Sequence, residues 1–156
     1  MSSIWFHSYT IADIQQFRNH NMIHHIDIQF TELGNDYLKG TMPVDERTTQ
    51  TMGILHGGAS VVLAETLGSI GANLVVDPAQ YACVGLDINA NHIRSVKSGR
   101  VTGTAKPIHI GGSTQVWGIE IRDKANRLIC TSRLTMAVLK TNKEGHNNNP
   151  FLGLVH

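Results

Sequence analysis

One carboxylate stands inside an apolar stretch of this sequence, and a pair of glycines opens the same stretch. The run from Gly58 to about Val76 is apolar nearly all round a helical wheel, which predicts a core helix. Glu65 lies in its middle, and no lysine or arginine between Arg47 and Asp87 could pair with it locally. Because an unpaired carboxylate is costly to bury, Glu65 is the first candidate for chemistry.

The glycines Gly57 and Gly58 stand where this helix begins. A helix N-terminus presents unpaired N–H groups and a partial positive charge, and residues without side chains let a substrate oxygen approach them. This arrangement is typical of an oxyanion hole. The alternative is that the two glycines only ease a tight turn from loop to helix.

Gly57 and Glu65 are separated along the helix by more than one small group can bridge. Eight positions correspond to about 12 Å of helix axis. If both residues act on one bond, they must come from two helices, so a second copy of the chain is needed. The sequence therefore predicts a two-fold dimer with paired sites at its interface. The alternative for Glu65 is a structural carboxylate bonded to backbone or to a neighbouring strand.

Polar residues close to this stretch could serve a substrate or only the fold. His56 could contact the substrate or hydrogen-bond its own loop. Gln50 could orient a water or a carbonyl, or it could be a solvated loop residue. Ser69, four residues after Glu65, could reach the same site or bond a carbonyl of its own helix.

Two later segments could bind an anion. His92, Arg94, Ser95 and Lys97 end a predicted strand with groups that suit phosphate, although a solvated strand end has the same composition. Gly111, Gly112 and Ser113 offer backbone amides, or they form only a hairpin turn.

The elements that must position these residues follow from the apolar pattern. A short helix capped by Thr10 is predicted to run to about Asn19, and alternating residues predict strands at 24–32 and 37–44. After the core helix, four more strands are predicted at 81–93, 100–110, 113–122 and 128–139. One long helix among consecutive strands predicts an antiparallel α+β fold, with the sheet wrapped around the helix.

Composition narrows the class of protein. The 156 residues carry a net charge of +1 and suit one domain over residues 1–140, followed by an asparagine-rich tail at 141–156 that we expect to be flexible. No charge block indicates a nucleic-acid partner, and Glu65 and several glycines interrupt the best candidate for a membrane span. Nine scattered histidines show no metal-ligand spacing, and Cys83 and Cys130 suit reduced, buried thiols. Without a signal-peptide pattern, we expect a soluble cytoplasmic protein.

Four stretches carry a more specific signal when they are taken together. They are Thr41–Asp45, Gly53–Glu65, Val84–His92 and Gln115–Trp117. Together they resemble the hotdog-fold acyl-CoA thioesterases of the phenylacetyl-CoA type, over about residues 23–139. The likeness is closer still to the subgroup that hydrolyses 1,4-dihydroxy-2-naphthoyl-CoA in menaquinone synthesis, and to its enterobactin-pathway proofreading relative.

The resemblance implies a hotdog sheet around the long helix and dimers that pair into tetramers. It also implies hydrolysis of an aromatic acyl thioester without metal or bound cofactor, coenzyme A being part of the substrate. By position, Glu65 corresponds to the catalytic carboxylate, as general base or nucleophile. The Gly57 amide would hold the developing oxyanion, while Gln50 and His56 would align the carbonyl and the attacking water.

The same resemblance assigns residues to substrate binding. Ser69 would lie near the acyl ring. The nucleotide end of coenzyme A would be gripped by two segments and one residue beside them: His92, Ile93, Arg94 and Ser95; His109, Gly111, Gly112, Ser113 and Thr114; and Gly85.

Two other functions stay open. A hydratase or dehydratase on the same fold would act on enoyl or 3-hydroxyacyl thioesters and release no thiol. A non-catalytic acyl-CoA-binding protein would bind without turnover, although binding alone does not need a costly carboxylate in the helix.

Overall fold

The computed structural model describes residues 2–141 and 148–154, in which one sheet surrounds one long helix. The elements in chain order are α1 (Ile11–Gln15), α2 (Met22–His25), β1 (Gln29–Leu33), β2 (Leu38–Pro43), α3 (Gly57–Val75), β3 (Tyr81–His92), β4 (Arg100–Ile110), β5 (Thr114–Arg122), β6 (Leu128–Lys140) and a 3-10 helix at Pro150–Leu154. All pairings are antiparallel in the order β1-β2-β4-β5-β6-β3, so β1 and β3 are the edges. The predicted α+β hotdog architecture is confirmed, and α3 and β3–β6 lie within one residue of their predicted bounds.

The central helix α3 packs against strands β2 to β6. Its leucines Leu63, Leu67 and Leu74 are completely buried. A Cβ added at Gly68 would come within 2.7 Å of Leu134 Cδ2, and one at Gly71 within 2.9 Å of the Trp117 ring. Each helical glycine costs about 1 kcal/mol relative to alanine, and here that cost makes room for large side chains of the sheet.

One stripe of α3 is not buried, which corrects the expectation of a helix buried all round. Gly58, Val61, Val62, Glu65 and Ser69 follow one another at helical spacing and are exposed or partly exposed in the single chain. The stripe is mainly apolar, with the Glu65 carboxylate in its middle.

The length of α3 also corrects the expectation that Glu65 and the glycines interrupt any membrane span. By length and composition, α3 is the one helix of the described residues that could cross a membrane. Its packing against five strands instead makes it the core helix of the fold.

The segment before β1 differs from the predicted strand at 24–32. His24 and His25 belong to the helix α2, which is capped by Asn21, and β1 begins only at Gln29. Asp27 has a positive φ of 53°, which interrupts any strand there. Ile26, Ile28 and Phe30 are nevertheless all buried, so the alternating pattern reported burial correctly although the backbone is not a strand throughout.

Both ends of the described chain dock onto the fold. Trp5 stacks on Trp117 with ring centroids 6.3 Å apart, and the Phe6 amide donates to the Leu74 carbonyl at 2.9 Å. Phe151 and Leu154 are buried, and Phe151 lies 4.6 Å from the Phe17 ring. The predicted flexible tail is therefore docked at Pro150–Leu154, while residues 142–147 and 155–156 lie outside the described residues.

Candidate active site

The loop that leads into α3 is a tight turn fixed to neighbouring backbone. The Gly53 amide donates to the Gln50 carbonyl at 2.8 Å, and Gly53 has a φ of +73°, which a side chain disfavours. The His56 amide donates to the Thr48 carbonyl at 2.8 Å, and the Leu55 amide to the Val96 carbonyl at 2.7 Å. The start of α3 is thus held in place from both sides.

Gln50 and His56 each have one side-chain atom engaged within this loop. The backbone N–H of Met52 donates to Gln50 Oε1, so the Gln50 amide group is left as a donor. The N–H of Gly58 donates to His56 Nδ1 at 2.8 Å, which makes His56 the N-cap of α3. A neutral imidazole that accepts at Nδ1 carries its proton on Nε2, so His56 is a second donor.

The Gly57 amide is the third donor. Within the described part of the chain it donates no hydrogen bond, because a residue at the first helical position has no carbonyl one turn earlier. A Cβ added at Gly57 would lie 2.6 Å from His92 Nε2, so the imidazole of His92 packs directly on this glycine. Only glycine fits here without moving His92.

A cavity of about 340 Å³ opens at this point and brings many of the predicted residues together. Six of the ten lining residues were candidates from the sequence: Gln50, Gly57, His92, Ile93, Arg94 and Ser95. Sequence reasoning missed the other four, Ile54, Leu55, Ser60 and Ile129, because apolar and small residues carry no chemical signal of their own.

Glu65 lies outside this cavity, two turns further along α3. A Cβ added at Gly85 of β3 would come within 2.8 Å of Glu65 Oε1, so the carboxylate rests against that glycine. In residues 2–141 and 148–154, Glu65 accepts no hydrogen bond and pairs with no cation. Its side chain is partly exposed rather than fully buried, on the open stripe of α3.

Ser69 follows one turn later on that stripe, and Asn73 one turn after Ser69. The Ser69 side chain is partly exposed, while its carbonyl accepts from Asn73 Nδ2 at 2.9 Å. Asn73 turns inward and is 5% exposed. A single asparagine in an apolar helix is a sequence signal from which this inward contact could have been predicted.

The predicted segment from His109 to Thr114 is the β4–β5 hairpin and lies apart from His92 in the single chain. The Gly111 amide donates to the Thr114 carbonyl at 2.9 Å, which closes the turn. Gly111 and Gly112 line a different cavity of about 460 Å³, together with Phe6, Val76, Asp77, Gln80, Tyr81 and Val138. One chain therefore separates the predicted residues into three places: the start of α3, the Glu65 stripe and this hairpin.

The cysteines offer no nucleophile. Both are free thiols, and burial raises the pKa of Cys83 to about 11. A thiol with so high a pKa stays protonated at neutral pH, and the pKa of Cys130 is raised by burial as well. Within the described residues, no three histidine, cysteine, aspartate or glutamate side chains converge as a metal site.

Comparison with known proteins decides the family. Residues 52–130, which span the loop, α3 and the strands up to β6, match the family model of the thioesterase superfamily. The chain belongs to the thioesterase superfamily. Its relatives include the 1,4-dihydroxy-2-naphthoyl-CoA hydrolase of Escherichia coli, 51% identical over 136 residues that cover 87% of this chain and 99% of that protein.

Other members of the superfamily agree in sequence and in structure. The proofreading thioesterase EntH of Cronobacter sakazakii is 45% identical, over 87% of this chain and 98% of its own. A crystal structure of a thioesterase from Haemophilus influenzae matches with a TM-score of 0.85 and 45% identity, covering 88% of this chain and 95% of that one. This superfamily member is therefore a hotdog-fold thioester hydrolase.

Proposed function

We propose that this protein hydrolyses an aromatic acyl-CoA thioester, of the hydroxyaryl type, to the free acid and coenzyme A. The observation that carries the proposal is that one helix holds the Glu65 carboxylate and the Gly57 amide, and that neither group has a hydrogen-bond partner within the described residues. The substrate class is supported by the similarity to the hydrolase of 1,4-dihydroxy-2-naphthoyl-CoA and to the proofreading thioesterase EntH.

In the proposed reaction the thioester carbonyl lies at the start of α3. The Gly57 N–H and the amide group of Gln50 hold the carbonyl oxygen, and the Nε2–H of His56 steadies the carbonyl or the attacking water. Glu65 acts as the general base that takes a proton from this water, or as the nucleophile itself. The new C–O bond forms, the C–S bond breaks, and the coenzyme A thiolate leaves and takes a proton.

Because Gly57 and Glu65 are about 12 Å apart on α3, we propose that each site takes them from two copies of the chain. The open stripe around Glu65 runs beside β3, which is an edge strand of twelve residues. Val84 and Leu86 on this strand are 45% and 62% exposed. A long edge strand with exposed apolar side chains is a template for pairing with a second chain, which would bury the stripe as well.

A pairing of two dimers is supported by the outer face of the sheet. A groove of about 750 Å³ crosses this face, lined by residues that include Lys106, Ile108, Glu120 and Arg133. Ile108 is 66% exposed there, and a large apolar side chain in that position favours packing against another surface.

The nucleotide end of coenzyme A suits the mouth of the cavity at the start of α3. Arg94 lines this cavity, and Lys97 follows it closely in sequence; both are exposed, and within the described residues neither forms an ion pair. The His109–Thr114 hairpin would approach this mouth from another copy of the chain. We propose that the reaction needs neither metal nor bound cofactor and takes place in the cytoplasm, so a chelator should leave turnover unchanged.

The test is release of free thiol from a panel of CoA esters, from hydroxynaphthoyl and benzoyl through phenylacetyl to medium aliphatic chains. We expect fast release from an aryl ester and a loss of roughly a thousandfold or more in Glu65→Gln, since removal of a central catalytic group costs at least that much. Glu46→Gln, at an exposed carboxylate outside the site, is the matched control and should keep wild-type turnover.

The outcomes separate the three functions. Full activity in Glu65→Gln would end the proposed mechanism. Conversion of an enoyl ester without thiol release indicates a hydratase, and tight binding of the esters without any turnover indicates a binding protein.

A further inference from the structure

The edge strand β3 runs antiparallel to α3, and the two elements meet at three places that matter here. Asn73 meets Cys83 near the end of the helix, Glu65 meets Gly85 in its middle, and Gly57 meets His92 at its start. The helix residues of the last two contacts are those that we propose for catalysis. The first contact has no assigned role.

Asn73 pairs with Cys83 as a neighbouring strand would. Its Nδ2 donates to the Cys83 carbonyl at 3.0 Å, and the Cys83 amide donates to Asn73 Oδ1 at 2.8 Å. Both backbone groups of Cys83 thus point away from β6, to which β3 is paired, and the amide covers this part of the open edge. Asn73 is 5% exposed, and both polar atoms of its side chain have a hydrogen-bond partner.

Gly85 pairs with Met136 of β6 and is the last residue of β3 before a break in the ladder between the two strands. The register shifts between Gly85 and Asp87, so a bulge lies next to the glycine that meets Glu65. A slip of one residue in β3 would bring the side chain of Val84 or Leu86 to the place of Gly85. Since even a Cβ at Gly85 would lie 2.8 Å from Glu65 Oε1, such a slip would displace the carboxylate.

We propose that Asn73 is a positioning residue for the thioester hydrolysis. Its amide holds β3 at Cys83, two residues before Gly85, which keeps Gly85 against the Glu65 carboxylate and so sets the direction of that carboxylate. This inference rests on the proposed function, because it gives Asn73 its effect through Glu65.

A second bond at the same end of α3 supplies a matched control. Gln115 Nε2 donates to the Ala72 carbonyl at 3.3 Å and joins α3 to β5 without touching the backbone of β3. Gln115 is completely buried, so Gln115→Leu and Asn73→Leu each remove a buried amide of the same region. Both variants should lower the melting temperature. Gln115 Nε2 also contacts Cys83, but only at Sγ, at 3.7 Å, so only Asn73→Leu frees the backbone groups of Cys83.

In the thiol-release assay we expect kcat of Asn73→Leu to fall about tenfold or more, because misplacement of a catalytic group by about 1 Å can cost a hundredfold. The KM for the ester should change by less than about threefold, since Asn73 does not contact the cavity at the start of α3. Gln115→Leu should keep kcat within about threefold of the wild type. Equal losses in the two variants, or a fall in kcat that only matches the unfolded fraction, would overturn the inference.

Gly85→Ala gives an independent check, because its added Cβ displaces Glu65 directly. If Asn73 acts through Gly85, a protein that carries both Asn73→Leu and Gly85→Ala should have about the same kcat as the slower single variant. A kcat loss equal to the product of the two single losses would contradict a shared route. Amide hydrogen exchange of the 83–87 segment needs no substrate: exchange should be faster in Asn73→Leu and unchanged in Gln115→Leu. If the wild type releases no thiol, the proposed function fails, and unchanged exchange in Asn73→Leu would separately refute the positioning of β3.

Discussion

At the scale of single residues, the donors around the start of α3 have their orientation set by bonds inside the loop. Gln50 Oε1 accepts from the Met52 amide, and His56 Nδ1 accepts from the Gly58 amide. In each residue the side-chain Nε2 is left as a donor toward a substrate. Donors held in this way need little reorganisation when negative charge develops on an oxygen, which is the basis of oxyanion stabilisation.

Gly57 is the position where this arrangement depends on a missing side chain. In Gly57→Ala, the new Cβ would lie 2.6 Å from His92 Nε2, so the imidazole must move. We expect kcat/KM to fall roughly ten- to hundredfold, with the melting temperature unchanged or slightly higher because alanine favours the helix. The assay is thiol release with a parallel thermal melt.

Gly153→Ala is the matched control for this prediction. Apart from its chain neighbours, no atom of the described residues lies within 4 Å of a Cβ added at Gly153, so thiol release should stay at the wild-type rate. Wild-type activity in Gly57→Ala would show that the close contact with His92 does not matter to turnover.

At the scale of elements, a cluster around Asp27 ties α1 and α2 to the sheet. The Asp27 carboxylate accepts from Arg18 at 2.8 Å and from Arg100 at 2.9 Å, and Arg100 also donates to the Asp27 carbonyl at 2.8 Å. Burial by itself would raise the pKa of Asp27, but the hydrogen bonds from Arg100 and Gln29 and the two positive charges outweigh it and lower that pKa.

The lowered pKa gives the folded state a pH-dependent stability. A carboxyl whose pKa falls on folding stabilises the protein above its unfolded pKa of about 4, and this contribution is lost as pH drops through the folded value. Asp27→Asn should therefore destabilise the protein by about 1–2 kcal/mol at neutral pH, with asparagine tolerating the positive φ. The free energies of unfolding of the two proteins should approach each other below about pH 4.

Urea unfolding between pH 3 and pH 8 measures this difference. Asp36→Asn is the control, because Asp36 forms only a longer, exposed ion pair with Lys106 at 3.5 Å. A difference between wild type and Asp27→Asn that does not vary with pH would contradict the prediction.

The same segment shows why some elements could be predicted and others could not. The strands β3–β6 and α3 were predictable because long apolar periods with clear turns fix their bounds. The stretch around His24 was not, because the positive φ at Asp27 ends the alternating pattern and Asp27 is held by Arg100, which is 73 residues away in sequence. Local pattern reports burial but carries no trace of such distant partners.

At the scale of the whole molecule, the candidate site was predicted as one set of residues, and the structure distributes that set over more than one place. The sequence and its resemblance indicated Gln50, Gly57 and the segment after His92, and one cavity contains them. Glu65 and the His109–Thr114 hairpin lie elsewhere in the same chain. The spacing of Gly57 and Glu65 in the sequence predicted that a second copy of the chain takes part in the site. The contact of His92 with Gly57 could be found only from the folded sheet.

A site that two copies share can be tested by mixing two inactive variants. In a dimer of Glu65→Gln with Gly57→Val, one site has both defects and the other has none. Random mixing makes about half of the dimers mixed, so about a quarter of the wild-type thiol release should return. The two proteins would be unfolded and refolded together, with each variant refolded alone as the control. Independent sites within each chain would give no recovery at any ratio.

The stacking of Trp5 on Trp117 has a practical consequence for following this molecule in solution. The chain has two tryptophans, and their rings lie 6.3 Å apart with planes 11° from parallel. One ring belongs to the N-terminal segment, and the other is fully buried against the end of α3. The tryptophan emission of the native chain and the tryptophan part of its near-ultraviolet circular dichroism therefore come from a single coupled pair. Any event that lifts the N-terminal segment from the sheet changes these signals without a label. It can therefore be followed separately from global unfolding.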